Sequence, residues 1–419
     1  MRRKGDALRS DLPTVGEDST RRRALLGDRK IRVAFQVDSL DKGGLEKGVY
    51  DLATHLDRRY FEIDVLVIHE GGWMAERLQR EGVRVSVLGE DAGRYRQFLH
   101  ERQVDVINVH HSIFGVNIAA EEGIPIIETL QNMYVWWSDK EIKAHRHLDS
   151  AITGYVATSK LVAQYTDVVL GFHPRKFHII PNGFNVQEYE SSSRLLQLSD
   201  VRGELGLTYD DFVFIQPAVF NFQKAQLMVA HALNRLIDKY PRIKLVFLGE
   251  VGQAEYYAAV RAYVSEHGLE THVRFCGFRQ DMYAFYKAAD AFLMPSFWEG
   301  WSVALSEALY AQLPVIVTDV GSAPELVQDH GLGLVIENAA DVFDRENVWD
   351  LVFQSSTAIP EFVDRLAMAI EDIYCNRDAW KKRAQAGREV MSQQFSIEVT
   401  TAQYEDLFID AARQFRRKR

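Results

Sequence analysis

From residue 31 onward, short apolar runs rich in β-branched residues alternate with stretches whose apolar positions recur at i, i+3 and i+4. The runs IRVAFQV (31–37), IDVLVIH (63–69), VRVSVLG (83–89), VDVINVH (104–110) and PIIETL (125–130) predict strands. They are apolar almost throughout rather than at every second position, which suits a parallel sheet covered on both faces. LEKGVYDLATHL (45–56) and MAERLQREG (74–82) carry the helical spacing. Strand, helix and strand in succession predict a doubly wound α/β domain.

The rhythm stops over residues 186–210, where a Ser run and scattered charge read as a boundary segment. It then restarts with DFVFIQPAVF (211–220), IKLVFLGE (243–250), HVRFCGF (272–278), ADAFLMP (289–295), PVIVTDV (314–320) and GLVIE (333–337). AQLMVAHALNRLIDKY (225–240) and SVALSEALYAQ (302–312) read as helices between these runs. Residues 338–360 read as a long loop or a partly helical insertion, and the remaining segment as helices. The expected organisation is a basic segment over 1–30 and two Rossmann-like domains over 31–200 and 201–397. A C-terminal helix over 398–419 is expected to pack back on the first domain and to end in a basic tail.

Composition supports two cores: the chain has 419 residues, of which 47% are hydrophobic. Its formal net charge of -10 hides an asymmetry. Residues 1–30 hold nine Lys/Arg against five Asp/Glu, and residues 413–419 hold five further basic residues, which leaves -19 over residues 31–412. So acidic a body repels a phosphodiester backbone, and nucleic acid is not the expected partner. The basic ends read as solvated, mobile segments, with contact to an anionic membrane surface as the alternative. Cys276 and Cys375 stand far apart with no CxxC, which speaks against a disulfide framework or a zinc site. The first residues are charged from end to end, without the apolar core of a secretory signal, and no apolar run approaches the ~18 residues needed to span a bilayer. The expected compartment is the cytoplasm, with any membrane contact peripheral.

In open parallel sheets the loops that follow strands hold the chemistry. The first, Asp38 to Gly44, places two glycines before a helix, where backbone N–H groups and the helix dipole favour an anion. The fourth strand ends in His110-His111-Ser112, and a histidine there can donate to a substrate oxygen or serve as a satisfied core group. Asn182-Gly183 reads as a turn after a short strand over 177–180. The most specific constellation is Pro295-Ser296-Phe297-Trp298-Glu299-Gly300-Trp301-Ser302-Val303, followed by Glu307 in the second turn of a helix. Its E-x7-E spacing lets two acids address different parts of an extended ligand, although acids near a helix start also complement the dipole. No GxGxxG fingerprint follows a predicted strand, which counts against a nicotinamide or flavin enzyme. Met133-Tyr134-Val135-Trp136-Trp137 reads as core with one exposed ring, and is a candidate acceptor surface.

These motifs occur in a familiar order. Gly43-Gly44-Leu45-Glu46-Lys47, His110 with Gly115, Ser159, Ile180 to Asn185 and Lys224 are followed by Gly277-Phe278, Ala289-Asp290, the E-x7-E pair, Pro314-Val315 and Gly321 with Glu325. From about residue 31 to its end the chain resembles the retaining GT-B glycosyltransferases of family 4. The resemblance implies a GT-B fold, two Rossmann-like domains facing an interdomain cleft. It also implies transfer of a hexose from a nucleoside-diphosphate sugar to a hydroxyl of a glycan or lipid-linked acceptor, in bacterial-type polysaccharide or glycoconjugate synthesis. Glu299 would contact the transferred sugar, Glu307 the ribose, Lys224 the phosphates, and Phe278 and Arg279 would lie near the base. Backbone N–H groups of Gly300, Trp301, Ser302 and Val303 would hold sugar and diphosphate together with Asn182. Gly43 and Gly44 would close over the diphosphate, with His110 aimed at the sugar. No cofactor or metal is implied, and no Asp-x-Asp pair occurs. The chain departs from the family where an arginine usually precedes the lysine by five or six residues: those positions are Val219 and Ala218. The same fold leaves room for a non-catalytic nucleotide-sugar-binding scaffold, or for an epimerase or phosphorylase.

Overall fold

A computed structural model describes residues 29–195, 200–354 and 357–417. Most of the basic N-terminal segment, and the last two residues of the basic tail, lie outside the described residues. Seven strands form the first sheet: β1 (Ile31–Leu40), β2 (Phe61–Gly71), β3 (Arg84–Val87), β4 (Val106–His110), β5 (Ile126–Leu130), β6 (Gly154–Ala157) and β7 (Phe177–Ile179). Six form the second: β8 (Phe212–Pro217), β9 (Ile243–Leu248), β10 (Val273–Phe275), β11 (Ala291–Met294), β12 (Val315–Thr318) and β13 (Gly333–Ile336). The spatial orders are β3-β2-β1-β4-β5-β6-β7 and β10-β9-β8-β11-β12-β13, and every pairing is parallel. The apolar runs become central strands because helices cover both faces; every residue of β4, β5, β11 and β12 is buried. The chain therefore has the two-domain GT-B architecture.

Two segments differ from the sequence expectation. The boundary over 186–210 is largely helical, with helices Val186–Leu195 and Val201–Glu204. Asn185 Oδ1 accepts a bond from the Glu188 backbone N–H at 3.0 Å and starts the first of them. Its Tyr189 ring, with Phe184 just before it, packs on Tyr310 at centroid distances of 5.1 and 4.9 Å. Tertiary contacts thus override the Ser-rich composition. The four-residue β6 was too short to stand out from the apolar pattern.

The last helix, Ile397–Arg416, is capped by Ser396 and crosses to the first domain. Phe408, fully buried, meets Phe35 of β1 edge-on at 6.1 Å, and Tyr404 Oη lies 3.2 Å from Thr129 Oγ1 of β5. Arg416 binds Asp105 at 2.7 Å, and Arg29 reaches the same carboxylate at 3.0 Å. One arginine from each basic end is therefore paired with a buried carboxylate of the first domain, Arg29 remaining half-exposed. Truncating Phe408 to Ala is expected to cost roughly 3–5 kcal/mol, read as a lower urea midpoint with unchanged native circular dichroism.

Candidate active site

Strand order reverses at two places, between β1 and β4 in the first sheet and between β8 and β11 in the second. Such switch points open a crevice at the carboxyl ends of the strands. The loop after β1 carries Lys42 and Gly43, and the loop after β4 carries His111. The loop after β8 carries Lys224, and the loop after β11 carries Glu299. All four loops line adjoining cavities between the domains. One, of about 430 Å³, is bounded by His111, Gln131, Trp136, Asn182, Lys224 and Glu299. A second, of about 480 Å³, is bounded by Lys42, Gly43, Ala218, Val219, Phe278, Arg279 and Glu307, and Val303 belongs to both.

The two loops of the second domain hold each other. Asn221 Oδ1 accepts from the Lys224 N–H at 3.2 Å, and Gln216 Nε2 donates to the Lys224 carbonyl at 2.6 Å. Gln223 accepts at its carbonyl from the Phe297 N–H and donates its side-chain amide to the Trp298 carbonyl, both at 2.8 Å. Lys224 Nζ is thereby brought onto Glu299 Oε1, in an ion pair whose carboxylate is buried. Ser302 then caps the helix Val303–Tyr310 by accepting from the Leu305 N–H at 3.2 Å. The N-terminus of this helix faces that of helix Gly44–His55, since a Cβ built on Gly44 would lie 3.9 Å from Val303 Cγ2. Two positive dipole ends meet over the cavities, an arrangement that favours an anion between them.

At Gly300 the two domains approach each other backbone to backbone. A Cβ there would fall 1.9 Å from the Gln131 carbonyl oxygen and 2.9 Å from Asn132 Cα. Beneath it, Gly321 adopts φ +55 and leaves no room for a side chain against the Gly300 carbonyl, 2.4 Å from its own built Cβ. The closed cleft requires glycine at both places.

Glu307 lies on the cavity wall and accepts from Tyr286 Oη at 2.8 Å. Desolvation pushes its pKa up to about 7, opposed by the Tyr286 bond and by the charge of Lys47. Lys47 itself is engaged with Asp51 and, at 2.6 Å, with Glu188, which Arg77 also binds at 2.9 Å. This network ties the first helix to the interdomain helix beside a third cavity, of about 220 Å³.

His110 departs from expectation. It is fully buried, and burial pushes its pKa down to about 3. Its Nε2–H donates to Asn108 Oδ1 at 2.9 Å, while Gln131 Nε2 donates to its Nδ1 at 3.3 Å. The His110 ring packs beside Phe35, with centroids 6.0 Å apart, and is linked to the cavity wall by Gln131, whereas His111, just beyond β4, lies on that wall itself. Gln131 Oε1 in turn accepts from Asn182 Nδ2 at 2.8 Å. His111 and Tyr134 both adopt positive φ, 60 and 53, and their rings lie 5.5 Å apart. Backbone strain of this kind concentrates at functional sites. Tyr134 stacks on Trp137 at 4.2 Å and 11°, and Trp136 alone of this run is turned outward, 40% exposed. Sequence reasoning missed Tyr286 and Lys42, which carry no spacing signal. Among the described residues, no three of His, Cys, Asp and Glu converge as a metal-ligand set would, and no helix is long and apolar enough to cross a membrane.

Comparison with known proteins agrees with this fold. Residues 42–188 match the profile of Glycosyltransferase Family 4, and residues 199–346 match that of Glycosyl transferases group 1. The chain belongs to the GT-B glycosyltransferases of family 4 and group 1. It is 25% identical over 303 residues, 66% of this chain and 74% of the relative, to alpha-monoglucosyldiacylglycerol synthase of Acholeplasma laidlawii. It is 27% identical over 261 residues, 59% of this chain and 66% of the relative, to an Escherichia coli enzyme. That enzyme is UDP-Gal:alpha-D-GlcNAc-diphosphoundecaprenol alpha-1,3-galactosyltransferase. Against the EpsD protein of Bacillus subtilis, with 28% identity over 44% of this chain, the match spans about half of the relative, 51%. Among solved structures, HepE of Anabaena in complex with UDP superposes with a TM-score of 0.73 and 20% identity, covering 90% of this chain and 99% of that one. A glycosyltransferase from Rickettsia africae gives 0.76 and 16%, covering 91% and 98%.

Replacing Gly300 by Ala is expected to force the domains apart, read as a larger radius of gyration in small-angle scattering with unchanged secondary structure. Glu307 gives a second expectation. Because its folded pKa is raised, ionising it costs the folded chain more than the unfolded one, and the penalty grows from pH 4.5, its ordinary value, to about 7. The Tm of Glu307→Gln relative to wild type should therefore climb through that window and level off above it.

Proposed function

We propose that this chain is a metal-independent, retaining hexosyltransferase that moves a hexose from a nucleoside-diphosphate sugar to a hydroxyl of a glycan or lipid-linked acceptor. The observation that carries the reading is the Lys224–Glu299 pair at the foot of a cavity overlooked by two helix N-termini. HepE has been solved with UDP and with UDP-glucose, and two of the relatives are named for a glucosyldiacylglycerol product and a GlcNAc-diphosphoundecaprenol acceptor, which supports the donor and acceptor classes.

In this reading the nucleoside occupies the cavity of Phe278, Arg279 and Glu307, and the ribose hydroxyls donate to the Glu307 carboxylate. The hexose enters the neighbouring cavity, against Glu299, Asn182 and the backbone of residues 300–303. As the bond from the anomeric carbon to the diphosphate breaks, negative charge grows on the leaving oxygen. Lys224 and the N–H groups at the start of helix Val303–Tyr310 stabilise it without a metal. The acceptor hydroxyl approaches from the leaving-group side, past Trp136 and His111. It forms the new bond to the anomeric carbon and passes its proton to the diphosphate. His110 acts through Gln131, holding that amide towards Asn182, rather than by touching the sugar. A binding-only scaffold is the second reading, favoured by the uncharged Ala218 and Val219 on the cavity wall; it predicts donor binding with no turnover.

The test is turnover by purified protein with a panel of nucleotide sugars and acceptors, and with the product anomer assigned by NMR. Lys224→Ala and Glu299→Ala are each expected to lower kcat by about 100-fold or more while the melting curves show folded protein. Unchanged activity in both variants, or an inverted anomer, would refute the reading.

A further inference from the structure

Four cations line the three cavities: Lys42, Lys47, Lys224 and Arg279. Three of them are committed to carboxylates. Lys224 pairs with Glu299, Lys47 with Asp51 and Glu188, and Arg279 binds Glu204 at 2.9 Å and Asp281 at 2.8 Å. Lys42 differs. Among the described residues it makes no ion pair, and its Nζ rests instead over the Phe278 ring, 5.3 Å from the centroid. That ring belongs to the other domain and is 50% exposed. A cation on an exposed aromatic face is weakly held.

Among the described residues lining its cavity, the one other cation is Arg279, which is already paired. The opposite wall of its cavity is Pro217, Ala218 and Val219, and the same cavity carries two carboxylates, Glu250 and Glu307. An anion entering here meets an acidic body of -19 over residues 31–412. Lys42 immediately precedes Gly43, the cap of helix Gly44–His55, so a phosphate held by that helix lies within reach of its flexible four-carbon stem.

We infer that Lys42 is a diphosphate-binding residue of the donor site, supplied by the first domain to a ligand seated on the second. This rests on the donor assignment proposed above. The ammonium sits on Phe278. When a nucleoside diphosphate enters, it exchanges that weak contact for a charge-assisted hydrogen bond to a phosphate oxygen, the stronger of the two. The exchange uncovers the Phe278 face on the nucleoside side of the cavity.

Calorimetric titration of the full chain separates the possibilities, with UDP and GDP as probes and uridine and guanosine as phosphate-free controls. Lys42→Ala is expected to weaken the better-bound diphosphate by about tenfold or more, and to make its binding less salt-dependent. The matching nucleoside should bind as before, and Lys42→Arg should restore the diphosphate affinity. Lys42 is exposed, and an unchanged melting curve verifies that each variant is folded. Equal weakening of nucleoside and diphosphate would reduce Lys42 to a partner of Phe278 and overturn the inference. Unchanged diphosphate affinity in Lys42→Ala would also overturn it, leaving the donor reading standing. A wild-type chain that binds neither diphosphate would remove the donor reading and this inference together.

Discussion

The cleft depends on one backbone-to-backbone contact. Gly300 presses against the Gln131 carbonyl, which a single methyl group would prevent. That contact brings the start of helix Val303–Tyr310 opposite the start of helix Gly44–His55, and it sets Glu299 beside the Asn182–Gln131 pair. It also explains why the loop after β11 carries its acid directly before a glycine. The acid is aimed by the residue whose missing side chain lets the other domain approach.

Charge is the second constraint. The body of the chain is strongly acidic, and the cavity walls add Glu299, Glu307 and Glu250. Most nearby cations are already paired, so anion recognition falls on dipoles and on cations that can change partner. Lys224 is held by Glu299, and a ligand must compete with that carboxylate or share it. Such pairing keeps the lysine in place before a ligand arrives, at the cost of some of its attraction for phosphate.

The two-domain α/β fold was legible because its central strands are apolar on both faces, and the E-x7-E pair because its spacing lies within one loop and one helix. Features that depend on which strands are neighbours were not legible. His110 ends β4 with its ring buried, whereas His111 lies just beyond the strand at positive φ and reaches the cavity wall. Gln131 matters because β5 lies next to β4 and the second domain then lands on its carbonyl. The helix Val186–Leu195 was obscured by its serines, since its stability comes from Tyr189 and Phe184 against Tyr310 rather than from local propensity. Lys42 carried no signal, because an unpaired lysine is recognised only once its neighbours are known.

A single file of hydrogen bonds runs from Tyr404 to Thr129, Asn108, His110, Gln131 and Asn182. Its first member belongs to the last helix of the chain, and its final members line the cavity. A ribosome emits the strands of the first domain long before residue 404, yet the polar groups at the ends of β4 and β5 lack their outer partner until that helix emerges. Phe35, which meets His110 within the first domain, likewise gains its second ring contact only when Phe408 arrives. The first domain therefore cannot complete its fold while it is the only part synthesised. Domain-by-domain maturation during translation gives way here to a final step in which the end of the chain closes both the oldest domain and the site.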